Sequence, residues 1–343
     1  MRIALPGRIL DRHVGGNTTY ATEIARRMPD FGHVVTTLPW AAHPALTAGQ
    51  EIFAARTWGP RRADVVHFTA DTGPALGCRL PLVVTAHGVA SRHTSVARTR
   101  TQETVWRARV RAAVHQASLV LSVSHSAADD VAAVFGIDPA SILVIPHGID
   151  HLANHGGELS PRVERLLAST EPFMLYLGNI EPRKNVDNLV RAVTEDGGVG
   201  MRLVVAGKPA WNFTPTLELM AQRPEVEYLG FVTDADRAAL LAGCRLFVFP
   251  SHYEGFGFPV LEAMSKGAAV ICSNEGSLAE VAGPALRLPG LDPGSIREGL
   301  RTALSDGPTL SAVAAAGPAW AAQFTWEVSA RRHAAAYESV LGS

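Results

Sequence analysis

The sequence predicts an α/β protein of two domains, each a parallel β-sheet covered by helices. Three observations lead to this prediction. The 343 residues suffice for two domains, since a domain typically takes roughly 150 residues. Short apolar runs alternate with amphipathic stretches along the chain, as the strand–helix–strand units of a parallel sheet require. The pattern also restarts after a polar, glycine-containing break near residues 147–170, where we expect the domains to join.

The individual elements follow from these runs in chain order. Ten runs have the length and continuous apolar character of strands buried on both faces: Ile3–Pro6, Asp64–Phe68, Pro81–Thr85, Leu119–Val123, Ile142–Ile145, Phe173–Leu177, Arg202–Ala206, Val226–Leu229, Leu246–Phe249 and Ala268–Cys272. The amphipathic stretches predict helices at Thr19–Met28, Val186–Val193, Asp236–Cys244, Pro259–Lys266 and Trp326–Leu341. We therefore place a first domain at 1–155, a second at 156–325, and a C-terminal helix at 326–343 that packs back toward the first domain.

Charge and cysteine content exclude several classes of protein. The 31 Lys and Arg balance the 32 Asp and Glu, whereas a nucleic-acid-binding protein normally carries a basic excess. Cys78, Cys244 and Cys272 are far apart and form no CxxC pair, which argues against a disulfide scaffold or a zinc site. Because no apolar run reaches 18 residues and Pro6-Gly7 interrupts the N-terminal stretch, we expect neither a signal peptide nor a membrane span, and a cytoplasmic protein.

The segment EGFGFPVLE, Glu254 to Glu262, has the features of a phosphate and ribose site. It follows a predicted strand and opens a helix, whose first N–H groups and partial positive charge attract phosphate. Gly255 and Gly257 let the backbone come close to a ligand, although an ordinary glycine turn beside a surface Glu is the competing interpretation. Glu262 lies about one turn into the helix, where its carboxylate can accept hydrogen bonds from both hydroxyls of a ribose.

Two further segments follow predicted strands and open helices. In GNIEPRKN (178–185), Arg183 and Lys184 form a candidate clamp for an anion, although a solvated pair at a turn is the competing interpretation. Lysine is rare in this chain, which uses 28 arginines and only Lys184, Lys208 and Lys266. The GGNTTY turn, with Gly15 and Gly16, also suits an anion, and an ordinary turn explains it as well.

Together these segments resemble the retaining glycosyltransferases of family 4, which have the GT-B architecture of two Rossmann-like domains facing across a cleft. The resemblance rests on the EGFGFPVLE, GNIEPRKN and GGNTTY segments and on three shorter matches: LGFV (229–232), SLAEVAG (277–283) and PHGID (146–150). It covers nearly the whole chain and is most specific over residues 173–283. The acceptor-facing segments of the first domain match least.

The resemblance implies roles for individual residues. Arg183 and Lys184 would hold the donor diphosphate, Glu262 the ribose, and Glu254 the hydroxyls of the transferred sugar. His87, in the TAHG sequence (85–88) after a strand, matches the family's histidine at the edge of that sugar, although a histidine packed at a strand end remains the alternative. These implied roles make His87, Arg183, Lys184 and Glu254 the candidate catalytic residues. Main-chain groups would complete the donor site at Gly15, Gly16, Val232, Gly255, Phe256 and Gly257.

The Asp234-Ala235-Asp236 sequence matches the DxD pattern that binds a metal–nucleotide complex in the other glycosyltransferase architecture. Thr233 and Asp236, however, have the spacing of a helix capping box, with Asp in place of Glu. We therefore predict a helix start here and no metal requirement.

A basic stretch from Arg92 to Arg111 contains six Arg and one Glu. One interpretation is a surface that meets an anionic membrane or a lipid-linked acceptor. The other is an ordinary solvated helix in a chain that prefers arginine.

The sequence thus predicts a retaining hexosyltransferase that uses a nucleotide-diphosphate sugar and no other cofactor. The EPRKN segment favours GDP-mannose, although these motifs do not separate guanine from uracil donors. The acceptor is a sugar, a lipid-linked molecule or a small molecule, and the enzyme is cytoplasmic with a possible peripheral contact at the inner membrane face. Two alternatives stay open: a nucleotide-sugar epimerase of the same architecture and a non-catalytic nucleotide-sugar-binding subunit.

Overall fold

The computed structural model describes residues 1–11, 15–74, 76–152 and 157–342. The described chain forms two compact units, one from residues 1–92, 98–148 and 324–343, the other from 93–97 and 149–323. The expected domain boundary at residues 155 and 156 lies outside the described residues.

The first unit contains a parallel sheet of six strands in the order β2-β1-β3-β4-β5-β6. Its elements up to residue 148 are β1 (Arg2–Pro6), α1 (Gly7–Asp11), α2 (Gly15–Arg27), β2 (Val34–Leu38), α3 (Pro44–Thr57), β3 (Val65–Phe68), β4 (Leu82–Ala86), α4 (Arg100–Gln116), β5 (Leu119–Ser122), α5 (His125–Phe135) and β6 (Ile142–Val144).

The second unit contains another parallel sheet of six strands, in the order β12-β11-β10-β7-β8-β9. Its elements are α6 (Pro161–Ala168), β7 (Phe173–Leu177), α7 (Val186–Thr194), β8 (Arg202–Ala206), α8 (Thr214–Ala221), β9 (Val226–Gly230), α9 (Asp234–Gly243), β10 (Leu246–Phe249), α10 (Phe258–Ser265), β11 (Val270–Cys272), α11 (Leu278–Val281), β12 (Leu286–Arg287), α12 (Pro293–Ser305) and α13 (Gly307–Ala321). The last helix, α14 (Trp326–Ser339), belongs to the first unit and packs on α2.

The predicted fold class, α/β with two helix-covered parallel sheets, is confirmed. All ten apolar runs are strands, and the five predicted helices are present with ends shifted by a few residues. Burial explains this success, because the side chains of β3, β4, β7 and β10 are all buried, as sheets covered on both faces require. Two of the four edge strands, β2 and β12, were not predicted from the sequence. In β2 only Leu38 is buried, so its sequence shows no continuous apolar run.

Candidate functional site

In the second unit, the two strongest sequence motifs lie side by side at one edge of the sheet. β7 and β10 are hydrogen-bonded neighbours although they are distant in sequence. The EPRKN segment follows β7 and the EGFGF segment follows β10, so both loops leave the carboxyl edge of the sheet. The loops are joined directly, because the His252 amide donates to the Arg183 carbonyl over 2.9 Å. This edge is where parallel α/β sheets usually bind ligands.

Glu254 is the centre of a buried ion-pair cluster. The Lys184 ammonium donates to its Oε1 over 2.5 Å, and the Ser251 hydroxyl donates to the same oxygen over 2.6 Å. Arg183 donates to Oε2 over 3.2 Å, to the Tyr253 carbonyl over 2.8 Å and to Glu181 over 2.6 Å. The structure therefore brings together three of the four candidate catalytic residues, and it adds Ser251, for which the sequence analysis gave no role.

The charges of this cluster compensate one another. Burial alone would raise the pKa of Glu254, but the charges of Lys184 and Arg183 outweigh it and lower that pKa. Two cations and the carboxylates of Glu254 and Glu181 sum to zero, so the cluster is less cationic than the sequence suggested. Among the described residues, the Lys184 ammonium has one hydrogen-bond acceptor, Glu254. Since an ammonium has three donors, two remain for a ligand.

Glu262 lies on α10 and is almost completely buried, with 1% of its surface exposed. Its Oε2 accepts a hydrogen bond from Arg237 of α9. Its Oε1 receives no hydrogen bond from the described residues, and the His151 Nε2 lies 3.7 Å from it. Burial raises the pKa of Glu262, an effect that Arg237 partly offsets. A buried carboxylate oxygen without a donor is costly unless a ligand supplies one.

The glycine-rich loop between Glu254 and α10 requires its second glycine. Gly257 has φ +98° at the N-cap of α10, a conformation that side chains rarely adopt. A Cβ there would stand 2.6 Å from the Cδ2 of Leu278, which is itself fully buried. Gly255 is half-buried and Phe256 is buried beside it. The main chain of this loop therefore lies at the start of α10, next to Glu254.

We expect Gly257→Ala to destabilise the protein by about 2 kcal/mol more than Gly267→Ala. Gly267 also has positive φ, +74°, but nothing lies within 4 Å of its Cβ position. Both variants incur backbone strain, and only Gly257→Ala adds overpacking, typically about 1–3 kcal/mol. Urea unfolding of both variants checks this, and equal losses would contradict the packing argument.

Val232 is half-buried and lies in the short connection between β9 and α9.

Next to it, the predicted capping box is confirmed. The Asp236 amide donates to the Thr233 hydroxyl over 3.1 Å, and the Thr233 amide donates to the Asp236 carboxylate over 3.3 Å. Asp236 also accepts from the Ser160 amide over 2.8 Å. Asp236 thus caps the start of α9, and in the described ranges no three His, Cys, Asp or Glu side chains gather as metal ligands.

The first unit carries the remaining candidate residues. Gly15 and Gly16 form the exposed first turn of α2, and Gly15 has φ +69°. His87 directly follows β4, where its Nε2 donates to the Thr69 carbonyl over 2.8 Å. Its amide donates to the Asp71 carboxylate over 2.6 Å. Because Nε2 is committed to a carbonyl, the His87 Nδ1 is the ring atom that remains for a ligand.

Several contacts of these residues were missed by the sequence analysis. Asp71 fixes the His87 backbone, Arg237 holds Glu262, and the His93 ring stacks on Tyr253 at 4.6 Å, next to Glu254. Each contact joins residues that are well separated in sequence, so no local motif indicates it.

In the basic stretch, three of the six arginines form ion pairs within the first unit. Arg92 pairs with Asp130 at 2.9 Å, and Arg98 and Arg107 both pair with Glu103, at 2.7 and 2.8 Å. Arg98 also lies over the Trp106 ring at 4.2 Å. These contacts reduce the positive charge that the stretch presents. Within the described ranges, none of the helices has the length and apolar character that crossing a bilayer would demand.

Comparison with known proteins agrees with this fold and this set of motifs. Residues 161–320 match the family model for glycosyl transferases group 1, and residues 37–151 match that for Glycosyltransferase Family 4. The chain therefore belongs to the family 4, group 1 glycosyltransferases, which have the GT-B fold.

One relative and two solved structures illustrate the likeness. The chain is 34% identical over 221 residues to the O-antigen chain mannosyltransferase B of Escherichia coli, a match that covers 62% of this chain and 58% of that protein. The sucrose-phosphate synthase of Thermosynechococcus elongatus superposes with TM-score 0.81 and 18% identity over 100% of this chain and 99% of its own. Anabaena HepE, solved with UDP-glucose, gives TM-score 0.76 and 18% identity over 99% of both chains.

Proposed function

We propose that this protein is a retaining hexosyltransferase that moves a mannosyl group from GDP-mannose to an acceptor hydroxyl without a metal ion. One observation carries the proposal: a Lys–Arg–Glu cluster lies on adjoining loops of one sheet edge, and a second, buried carboxylate lies on α10, the helix that follows one of these loops. Lys184 has N–H groups available for a diphosphate. None of the described residues donates a hydrogen bond to the Glu262 Oε1, which a ribose hydroxyl can satisfy. Membership of a glycosyltransferase family supports a donor of this class.

The residues of the cluster support separate roles in the proposed reaction. Arg183 and Lys184 stabilise the negative charge that develops on the leaving diphosphate, helped by the helix N-termini that follow their loops. Glu254 holds both cations in place and, through Oε2, is available to a sugar hydroxyl. In this proposal the N–H donors of Lys184 and the helix N-termini have the role that a metal ion has in other reactions with a phosphate leaving group. The roles of Gly15, Gly16 and His87 stay predictions.

The chemistry we propose is a substitution at the anomeric carbon on a single face of the sugar. The bond from C1 to the diphosphate oxygen breaks, the acceptor oxygen bonds to C1, and its proton passes to the departing diphosphate. Glu254 is poorly suited to a covalent intermediate, because two cations and Ser251 already engage its oxygens. This arrangement supports the proposal of retention without a protein nucleophile.

The choice of donor rests on two supports. The Escherichia coli relative is named a mannosyltransferase, which supports mannose, and the EPRKN wording favours guanine. HepE was solved with UDP-glucose. The first experiment therefore compares UDP donors with GDP donors. The acceptor and any membrane contact through the Arg92–Arg111 stretch also stay predictions, and the ion pairs of that stretch leave fewer charges for a membrane.

The first experiment is a donor panel in the presence of EDTA. Thermal shifts with GDP, UDP, ADP and TDP are paired with hydrolysis of the matching sugar nucleotides. We expect a shift with GDP and slow release of GDP from GDP-mannose. Release of free nucleoside diphosphate separates a transferase from an epimerase and from a binding subunit. A requirement for added metal would contradict the metal-independent part, and absence of any shift would contradict the donor site.

The second experiment examines the ribose carboxylate. We expect Glu262→Gln to weaken donor binding about 10- to 100-fold, because hydrogen bonds to a charged group contribute about 1.5–3 kcal/mol. Glu298→Gln, on the exposed face of α12, is the matched control and should bind the donor normally. Isothermal titration with GDP measures both. Equal affinities would remove Glu262 from the site.

A further inference from the structure

A chain of buried polar side chains runs through the first unit, apart from the ion-pair cluster described above. The Tyr337 hydroxyl lies 2.7 Å from the His67 Nδ1, and the His67 Nε2 lies 2.8 Å from the Thr85 hydroxyl. Thr85 lies 2.8 Å from the Tyr20 hydroxyl, and Tyr20 lies 2.7 Å from the His333 Nε2. The His333 Nδ1 ends the chain, 2.7 Å from the Ser329 carbonyl. The five linked side chains are buried.

These contacts allow only one arrangement of protons when both histidines are neutral. The Ser329 carbonyl can only accept, so the His333 Nδ1 carries the proton and its Nε2 accepts from Tyr20. Tyr20 must then accept from Thr85, which in turn accepts from the His67 Nε2. The His67 Nδ1 is left to accept from Tyr337. Every hydrogen bond therefore points from Tyr337 toward Ser329 only when His67 carries its proton on Nε2 and His333 on Nδ1.

The environment favours the neutral form of both rings. Burial lowers the pKa of His333 to about 4, with Arg332 acting in the same direction. Burial also lowers the pKa of His67, helped by the nearby rings of His333 and His87. The other titratable side chains in this hydrogen-bonded series are Tyr20 and Tyr337, and burial raises the pKa of both. A proton added to the His333 Nε2 would make this atom a donor to the Tyr20 hydroxyl and would end its role as acceptor, whereas the bond from Nδ1 to the Ser329 carbonyl would keep its direction.

The hydrogen-bonded side chains connect α14 to α2 and β4, the two elements of this unit that carry or directly precede candidate site residues. His333 and Tyr337 lie one turn apart on α14, and Tyr20 is on α2, the helix that begins at Gly15 and Gly16. Thr85 is on β4, two residues before His87. The Tyr20 ring also meets the His87 ring edge-on, with centroids 5.3 Å apart and planes at 81°. A shift of α14 would therefore be transmitted to the Gly15–Gly16 turn and to His87.

We propose that Tyr20, His67, Thr85, His333 and Tyr337 form a proton-ordered positioning network that sets the Gly15–Gly16 turn and His87 in place. The network residues act through those neighbours and are positioning residues. The proposal rests on the proposed function for what the positioned groups do. The order of the protons and the link to α2 and β4 do not depend on that function.

The first test determines, in the protein of 343 residues, which ring nitrogen of His67 and of His333 carries the proton. Long-range nitrogen–proton NMR spectra of histidine-labelled protein distinguish the two neutral tautomers, and His67→Gln and His333→Gln assign the signals. At about pH 7 we expect His67 protonated on Nε2 and His333 on Nδ1. The opposite tautomer on either ring, or a charged ring, would overturn the proposal whether or not the protein is a transferase.

The second test compares two substitutions at one position. Thr85→Val keeps the shape and removes the hydroxyl, whereas Thr85→Ser keeps the hydroxyl. We expect Thr85→Val to shift the amide signals of Gly15, Gly16 and His87 and to lower kcat about 10- to 100-fold, since small displacements of reacting groups have effects of this size. Thr85→Ser should restore both readouts.

The two readouts separate the possible failures. If Thr85→Val folds and leaves the three amide signals unmoved, the positioning role is refuted, whatever the enzyme's activity. If the signals move while the wild-type protein transfers no sugar from any donor, the network stands and the proposed function fails.

Discussion

Lys184→Met is expected to lower kcat about 100- to 1,000-fold while leaving the fold intact. Removing one preorganised donor that stabilises developing charge typically has an effect of this size. The Lys184 ammonium is buried, where a charge acts through a low dielectric, and part of its hydrogen-bonding capacity is still available to a leaving diphosphate. Met keeps the length and most of the apolar volume of the side chain, so packing against Phe249, whose ring lies 4.9 Å from the Lys184 nitrogen, is retained.

The matched control is Lys266→Met. Lys266 caps the opposite end of α10 from the glycine-rich loop, so the same chemical change there should leave kcat within about twofold. Burst kinetics with GDP-mannose separate the chemical step from donor binding. A Lys184→Met enzyme with normal kcat would remove the clamp from the mechanism, and a parallel loss in Lys266→Met would show a general effect on folding.

A double-mutant cycle measures how strongly Lys184 and Glu254 of this cluster are coupled in the free energy of unfolding. Glu254→Gln leaves the buried Lys184 and the half-buried Arg183 without their shared anion, and breaking a buried ion pair from one side costs about 3–5 kcal/mol. In the Lys184→Met/Glu254→Gln protein one of those cations is gone as well. We therefore expect the double variant to be more stable than the sum of the single losses implies.

The sequence predicted the strands and the motif positions because both depend on local pattern. A strand buried on both faces needs a continuous apolar run, and β7 and β10 each have one. The capping box at Thr233 and Asp236 is equally local, since both partners lie in one helical turn. Edge strand β2 escaped detection for the same reason, because its half-exposed side chains produce no such run.

The sequence could not predict how the motif residues pair. Lys184 meets Glu254 because β7 and β10 are neighbours in the sheet, and a single sequence does not specify the order of strands. The same holds for Arg237 with Glu262, which bring α9 and α10 together. In the folded protein, Arg183 and Lys184 are therefore part of a charge-compensated cluster and do not form a free cationic clamp. Lys184 keeps N–H donors that are available to a ligand.

The second large effect that we expect is on folding stability, which should depend on pH because of the buried histidines. We expect the protein to lose about 3 kcal/mol of folding free energy through His333 alone as the pH falls from 6.5 to about 4. Between these values the unfolded chain binds a proton at His333 and the folded chain does not, so acid favours unfolding. The contribution is fully present above pH 6.5 and declines as the pH falls toward 4. His67, whose pKa is also lowered, acts in the same sense.

Carboxylates titrate over part of this range as well, so the effect of His333 is isolated by difference. His333→Gln removes the titrating ring, and its unfolding free energy should fall about 3 kcal/mol less than that of the wild type over the same pH range. His125→Gln, at the exposed start of α5, should follow the wild type. Urea unfolding at several pH values provides the comparison. Parallel curves for the wild type and His333→Gln would mean that His333 is not held neutral, and a histidine charged at this position cannot accept the Tyr20 hydroxyl proton on which the ordered chain depends.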